Sequence, residues 1–167
     1  MTDSKVATTP PRLSPSTSNS SMSDEDDDSN DELKGGSPLK KQAKCHRILI
    51  VEDFDLTSKF LSNTLKYCRS ALCTCATSGE DALNIIRTEG TLDVVLTDVM
   101  MKGIGGIEFI KQVREHEETH GLQPQIILAM SADESNSEAS LKAGSSLFIF
   151  KYNDPMHRIF EILDTIQ

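Results

Sequence analysis

The chain has 167 residues, with 17 Lys and Arg, 26 Asp and Glu, and a formal net charge of −9. This charge argues against nucleic acid or an anionic membrane as the main partner, since both are themselves negatively charged. The longest apolar run covers only residues 126–130, whereas about 20 residues are needed to cross a bilayer. The polar N-terminus also lacks the apolar segment of a secretory signal. We therefore expect a cytoplasmic protein, with the nucleus as a second location.

The four cysteines have no spacing typical of a metal site or of a disulfide framework. We expect all of them to be reduced thiols: Cys45, Cys68, Cys73 and Cys75. We further expect Cys73 and Cys75 to behave as small buried apolar side chains.

Residues 1–44 differ in composition from the rest of the chain. They contain nine Ser, four Thr and four Pro, but only four residues of the Leu, Ile, Val and Phe class. Such a segment buries too little apolar surface to offset its chain entropy. We therefore predict a disordered tail over 1–44 and one folded domain over 45–167.

Short patterns in this tail suit modification or targeting. Three Ser-Pro or Thr-Pro pairs suit proline-directed kinases, the acidic run 24–28 suits an acidophilic kinase, and a basic cluster at Lys40, Lys41 and Lys44 suits a nuclear signal. A solvated, low-complexity tail accounts for all three and is the preferred interpretation, because such short patterns recur by chance.

Strand and helix patterns alternate after residue 45. Apolar runs at 48–51, 94–96, 126–130 and 147–150 are typical of strands buried on both faces, and 71–76 is a more mixed candidate. Apolar residues at helical spacing predict a helix after each strand. Five strands alternating with five helices predict an α/β fold with a doubly wound, five-stranded parallel sheet.

The first predicted helix follows the first strand directly. Asp55 suits its N-cap, because a short acidic side chain can accept a hydrogen bond from the first turn. Leu56, Phe60, Leu61 and Leu65 then fall on one helical face, which we expect to be buried.

Other helix ends have clearer signals. Ser78 opens the second helix and Gly90 is placed to end it. Asp154 followed by Pro155 is typical of a cap and the first helical position. The stretch 103–106, Gly-Ile-Gly-Gly, follows the third strand and lacks the G-x-G-x-x-G spacing of a dinucleotide loop, so we interpret it as a flexible turn.

Polar residues stand where the predicted strands end. Glu52 and Asp53 follow the first strand, Asp98 ends the third, and Ser131 and Lys151 follow the fourth and fifth. Each of them alone would be an ordinary loop residue. Because ligands bind at the carboxyl edge of a doubly wound sheet, the five together predict one pocket.

The chemistry of these residues points to a hard cation and a phosphoryl group. Three carboxylates repel one another unless a cation lies among them, and Mg²⁺ prefers carboxylate, water and phosphate oxygens. Asp98 is either a third ligand or a nucleophile that forms an aspartyl phosphate. Lys151 can supply positive charge to the phosphoryl group, and Ser131 can donate a hydrogen bond to it.

These residues resemble those of response-regulator receiver domains, the aspartate-phosphorylated partners of histidine kinases. The matching stretches are ILIVED at 48–53, LTDVMMKGIGG at 96–106, AMSA at 129–132 and FIFK at 148–151. The resemblance covers roughly residues 45–167, and motif identity, order and strand context agree. It implies the flavodoxin-like receiver fold.

The resemblance also implies a role for each site residue. Asp98 is expected to be the phosphoacceptor and Lys151 to contact the phosphoryl group. Ser131 is expected to be the switch hydroxyl, and Phe148 the aromatic side chain that moves inward after phosphorylation. The implied Mg²⁺ ligands are Glu52, Asp53, Asp98 and the backbone carbonyl of Met100.

The implied partners are proteins. A histidine kinase or a histidine-containing phosphotransfer protein would supply the phosphoryl group, and a downstream protein would bind the face near residues 136–167. Lys102 and Tyr152 stand where the family usually has proline. Both departures affect loops around the pocket, but neither removes an atom needed for phosphoryl transfer.

Three hypotheses follow. The first is a non-enzymatic, single-domain response regulator, because the sequence stops just after the last predicted helix and its acidic, Ser-rich tail resembles that of fungal stress regulators. The second is a degenerate receiver that serves as a constitutive scaffold, which the loss of both prolines favours. The third is a Mg²⁺-dependent phosphohydrolase, which would need an acidic residue where Met100 stands.

Overall fold

The computed structural model describes residues 45–90 and 92–166, in which five strands alternate with five helices. The strands form one parallel sheet in the order β2-β1-β3-β4-β5. This confirms the predicted doubly wound α/β fold. The elements are β1 Arg47–Val51, α1 Asp55–Arg69, β2 Leu72–Ala76, α2 Gly79–Glu89, β3 Val94–Asp98, α3 Gly106–His120, β4 Ile126–Ser131, α4 Asn136–Lys142, β5 Leu147–Phe150 and α5 Pro155–Thr165. The predicted disordered tail, its kinase patterns and its basic cluster lie outside the described residues.

The sheet has a hydrophobic core on each face because successive strand residues point to opposite sides. Leu49 and Val51 of β1 pack with α2 and α3, where Phe109 is fully buried. Ile48 and Ile50 pack on the other side with α1 and α5. The central strands are therefore covered on both faces, which explains their uninterrupted apolar sequences.

Helix α1 differs from its prediction in two respects. Its N-cap is Phe54, so Asp55 is the first helical residue, and the Asp55 carboxylate accepts a hydrogen bond from Lys59 at 2.6 Å. Leu56 and Phe60 are exposed, whereas Leu61 and Leu65 are buried.

The buried stripe of α1 explains this difference. It consists of residues 58, 61, 62 and 65, which follow the i, i+3, i+4, i+7 spacing of one helical face. Two of its members are Ser58 and Ser62, so the apolar residues alone did not define the face. Leu56 and Phe60 lie on the opposite side of the helix from this stripe and are exposed to solvent.

Strand β2 corrects the prediction for the cysteines. Cys75 is exposed and Cys73 is only partly buried, because β2 pairs with β1 alone and forms an edge of the sheet. Burial raises the pKa of the Cys73 thiol above its usual value.

Other predicted helix ends are confirmed. Ser78 Oγ accepts a hydrogen bond from the Asp81 amide, and Gly90 follows α2 with a φ of 75°. Asp154 accepts one from the His157 amide at 3.2 Å, with Pro155 beginning α5. Within residues 45–90 and 92–166, no helix has both the length and the apolar character needed to cross a bilayer. A cytoplasmic or nuclear location stays a prediction.

Candidate functional site at the carboxyl edge of the sheet

The register of the sheet brings the predicted site residues to one edge. Val51 pairs with Thr97, so Glu52 follows β1 next to Asp98 at the end of β3. The Lys151 amide donates to the Ser131 carbonyl at 2.8 Å, which joins the ends of β4 and β5. The strand ends that carry the predicted site residues therefore lie side by side at one edge of the sheet.

Lys151 links two of the carboxylates. Its Nζ atom donates to Asp98 Oδ2 at 2.7 Å and to Glu52 Oε2 at 2.8 Å. Glu52 is 1% exposed and Asp98 is 6% exposed, so both charges are largely removed from water. Such burial is costly unless the charges are paired, and Lys151 supplies that pairing.

The pKa shifts follow from this arrangement. Burial raises the pKa of Glu52 above its usual value, and the hydrogen bond and charge of Lys151 offset part of that effect. Burial alone would lower the pKa of Lys151, but its hydrogen bonds to Asp98 and Glu52, together with the negative charges of these two groups, outweigh burial and raise it. Lys151 is therefore held firmly in its charged form.

Three carboxylates converge in a way that fits a hard cation. Ligand oxygens of Glu52, Asp53 and Asp98 all lie within 4.8 Å of one another. They are the only group of three or more acidic, His or Cys side chains that meets this distance within the described part of the chain. An all-oxygen set suits Mg²⁺ rather than a metal that prefers nitrogen or sulfur.

Backbone amides of the loop between β3 and α3 donate hydrogen bonds to Asp98 and to Asp53. The Met100 amide donates to Asp98 Oδ1 at 3.0 Å, and the Lys102 amide donates to Asp53 Oδ2 at 3.3 Å. The Met100 side chain is 67% exposed beside the site. The role of the Met100 carbonyl as a ligand stays a prediction.

Glu80 is a supporting residue that the sequence analysis missed. Its carboxylate accepts a hydrogen bond from the Ile104 amide at 3.2 Å, which fixes the same loop from α2. The Glu80 and Ile104 amides hold the pKa of this carboxyl below its usual range. No local signal identifies this contact, because the two residues are 24 positions apart in the sequence.

Ser131 connects the site to α4. It is fully buried, and its Oγ atom accepts hydrogen bonds from the Asp133 amide and from Asn136 Nδ2, both at 3.1 Å. Asn136 begins α4 and was also missed by the sequence analysis. Phe148 is partly buried on β5 and packs against the core on the α3 side of the sheet.

Comparison with known proteins defines the class of this domain. The family model of the response regulator receiver domain matches residues 48–163. The chain therefore belongs to the response-regulator receiver family, whose members act in two-component and phosphorelay signalling, and this confirms the resemblance seen in the sequence.

Individual relatives support this assignment. The chain is 32% identical over 126 residues to chemotaxis protein CheY-3 of Vibrio cholerae, covering 72% of this chain and 95% of CheY-3. It is 29% identical to the probable transcriptional regulator ycf27 of Cyanidium caldarium, but covers only 50% of that longer protein. Receiver domains thus occur among these relatives both nearly alone and as half of a larger chain.

Solved structures show the same fold. The receiver domain of Ssk1 from Saccharomyces cerevisiae, crystallised with the phosphotransfer protein Ypd1, gives a TM-score of 0.63 at 24% identity, over 71% of this chain and 86% of that one. TrrA from Thermotoga maritima, in complex with Mg²⁺ and beryllium fluoride, gives 0.59 at 25% identity, over 71% and 98%. An acidic cluster such as that of Glu52, Asp53 and Asp98 is typical of the Mg²⁺ site in this family.

Proposed function

We propose that Asp98 accepts a phosphoryl group from a phosphohistidine and that phosphorylation controls which proteins this domain binds. The observation that carries the proposal is the Asp98 carboxylate at the end of β3, bonded to Lys151 and close to two further carboxylates. An Asp98 oxygen attacks phosphorus while the P–N bond to the donor imidazole breaks. The electron pair of that bond stays on the imidazole nitrogen, which then takes up a proton.

Lys151 and Ser131 would stabilise the transferred group. Lys151 Nζ lies 2.7 Å from Asp98 Oδ2, so it would be close enough to stabilise the negative charge on the oxygens of a phosphoryl group bound to Asp98. Ser131 Oγ accepts two hydrogen bonds, and its hydroxyl hydrogen would be donated to a phosphoryl oxygen. Movement of Ser131 would be passed to α4 through Asn136, and we propose that Phe148 moves inward at the same time.

Mg²⁺ would be held by Glu52, Asp53 and Asp98, with the Met100 carbonyl as a further protein oxygen. Three carboxylates and one ammonium group leave a formal charge of −2, which a divalent cation offsets. Such a cation supplies positive charge to the phosphoryl oxygens during transfer.

The phosphoryl donor would be a histidine kinase or a histidine-containing phosphotransfer protein. Its phosphohistidine must reach Asp98, so its surface must cover the residues around the pocket. Large apolar side chains are exposed there on α1, on the loop before it and after β5: Phe54, Leu56, Phe60 and Tyr152. An exposed apolar patch bordered by polar residues is typical of a protein-binding surface.

The downstream partner would bind the face near residues 136–167. A cleft of about 390 Å³ lies there between β5, α5 and the segment before α4, lined by Phe148, Phe150, His157 and Arg158 among others. By resemblance to fungal regulators, we propose a stress response as the context of this signal.

Two alternatives are less well supported. A constitutive scaffold would not need the buried and paired carboxylates, which cost free energy to hold together. A phosphohydrolase would need an acid or base two residues after Asp98, and the exposed thioether of Met100 occupies that position. We therefore propose no enzymatic activity with turnover on a separate substrate.

Phosphorylation of the purified full-length chain tests the proposal. We expect acetyl phosphate with Mg²⁺ to produce a shifted band on a phosphate-affinity gel, and chelation of Mg²⁺ to prevent it. Asp98→Asn should remove the band, because the amide is not a nucleophile for phosphorus.

Asp55→Asn is the matched control, because Asp55 is an exposed carboxylate that lies outside the cluster. A shifted band that persists in Asp98→Asn would contradict the assignment. If wild type gives no band with acetyl phosphate, a phosphorylated phosphotransfer protein replaces it as donor, and failure of that transfer would favour the scaffold.

A further inference from the structure

Helix α3 ends in two histidines that lie one turn apart. Residues 116–120 read His-Glu-Glu-Thr-His, and the ring centroids of His116 and His120 are 4.2 Å apart. Both rings line a surface cleft of about 390 Å³. The other lining residues are Arg87, Glu108, Gln112, Glu115 and Thr119.

A hydrogen bond determines which nitrogen of His120 is available. His120 Nδ1 lies 2.8 Å from the His116 carbonyl oxygen. A carbonyl oxygen only accepts, so Nδ1 carries the hydrogen and Nε2 keeps its lone pair in the neutral ring. Metal-binding histidines commonly donate their second N–H to a backbone carbonyl in this way, which fixes the tautomer.

We propose that His116 and His120 together bind a divalent transition-metal ion such as Zn²⁺ or Ni²⁺. Two imidazoles at i and i+4 on one helical face can bind the same ion, and imidazole suits Zn²⁺, Cu²⁺ and Ni²⁺ far better than Mg²⁺. Water molecules complete the coordination.

This site differs from the acidic cluster in chemistry and in place. Helix α3 has 15 residues and begins beside Asp98, so at ~1.5 Å per residue its last turn lies on the order of 20 Å along the helix. Glu108 and Glu115 bring two negative charges to the cleft, and Arg87 brings one positive charge. Lys111 also pairs with Glu108 at 3.7 Å, so affinity for a metal ion rests on the two imidazoles rather than on net charge.

The motif does not make a metalloprotease. In His-Glu-x-x-His proteases the glutamate is the general base beside the metal. Here Glu117 is 3% exposed, forms an ion pair with Arg114 at 2.6 Å and accepts the Gln125 amide hydrogen at 2.8 Å. The Glu117 carboxylate holds the end of α3 to the residue before β4 and is not available as a general base, so we expect the site to bind a metal without hydrolytic activity.

Titration of the chelator-treated, untagged full-length chain with Ni²⁺ tests this site. Ni²⁺ is preferred as the probe because thiolates compete less for it than for Zn²⁺, and excess Mg²⁺ is kept present throughout. We expect one ion per chain by calorimetry. Paramagnetic Ni²⁺ should broaden the NMR signals of the last turn of α3 and leave those next to Asp98 sharp.

Single substitutions at the two histidines test whether Ni²⁺ binds at this site. His116→Gln and His120→Gln should each weaken Ni²⁺ binding by at least about tenfold. Losing a residue that merely hydrogen-bonds to a metal ligand already weakens metal binding by about that factor, and losing a ligand should cost more. His157→Gln is the matched control, because His157 is an exposed histidine on α5. Absence of binding in wild type, or affinity unchanged in His116→Gln and His120→Gln, would overturn the proposal.

Discussion

Lys151 stabilises a group of charges that would otherwise oppose folding. Glu52 and Asp98 are nearly buried, and each lies within 2.8 Å of the same ammonium group. Loss of hydration and the neighbouring charge of Asp98 both raise the pKa of Glu52. The burial that raises the pKa of Glu52 is opposed first by its hydrogen bond to Lys151.

Replacing this cation should lower stability in a pH-dependent way. In Lys151→Met, without divalent cations, we expect the free energy of unfolding at neutral pH to fall by about 3 kcal/mol, because buried charge is left unpaired. The folded-state pKa of Glu52 would rise further above its unfolded value. A raised carboxyl pKa gives stability below the unfolded pKa and loses it as pH rises through the folded pKa, so the deficit should shrink in acid.

Urea denaturation at neutral and acidic pH measures this effect. Lys142→Met is the matched control, since Lys142 also pairs with a glutamate, Glu138, but both side chains are more than 70% exposed. Exposed ion pairs contribute at most about 1 kcal/mol. An equal deficit for Lys151→Met at both pH values would show that lost packing, rather than lost charge, is the cause.

At the scale of elements, the position of Asp98 depends on how β3 meets α3. Gly106 begins α3 directly against the end of β3. A Cβ atom at this position would lie 2.1 Å from the Asp98 carbonyl oxygen, which is far inside van der Waals contact. The interpretation of 103–106 as a merely flexible turn is therefore incomplete, because its last glycine is required by close packing.

Gly106→Ala should consequently disturb the site as well as the fold. We expect a loss of about 3 kcal/mol in the free energy of unfolding, since backbone atoms must move to accept the methyl group. Phosphorylation of Asp98 by acetyl phosphate should slow in the same variant, because the end of β3 shifts. Urea denaturation and the rate of band shift on the phosphate-affinity gel measure the two effects.

The neighbouring glycine gives the control for this prediction. Gly105 has a φ of −69°, and a Cβ atom there would lie 3.3 Å from the nearest atom, the Val99 carbonyl oxygen. Gly105→Ala should therefore cost no more than about 1 kcal/mol, mainly through a poorer N-cap. Equal losses in the two variants would contradict the steric argument.

The sequence predicted the strands, the helices and the site residues to different extents. Apolar runs predicted the strands, and the polar residues at their ends predicted that Glu52, Asp53, Asp98 and Lys151 lie close together, because both features leave local sequence patterns. The buried face of α1 was predicted only in part: Leu61 and Leu65 are buried as expected, but Ser58 and Ser62 complete the face in place of Leu56 and Phe60. Glu80 and Asn136 were missed because hydrogen bonds between distant loops have no local signal.

At the scale of the whole molecule, the acidic cluster couples cation binding to unfolding. Its carboxylates come from β3 and the segment after β1, so the site exists only in the folded chain. A ligand that binds only the folded state raises the free energy of unfolding. A cation at the carboxyl edge should therefore stabilise the entire domain.

Thermal unfolding with and without Mg²⁺ tests this coupling, at constant ionic strength. At Mg²⁺ about 100 times its Kd, the free energy of unfolding should rise by about 2.7 kcal/mol. Asp53→Asn should lose this gain, yet melt above wild type without Mg²⁺, because one of three repelling carboxylates is removed. Asp55→Asn should keep the gain. An undiminished Mg²⁺ response in Asp53→Asn would exclude that carboxylate as a ligand.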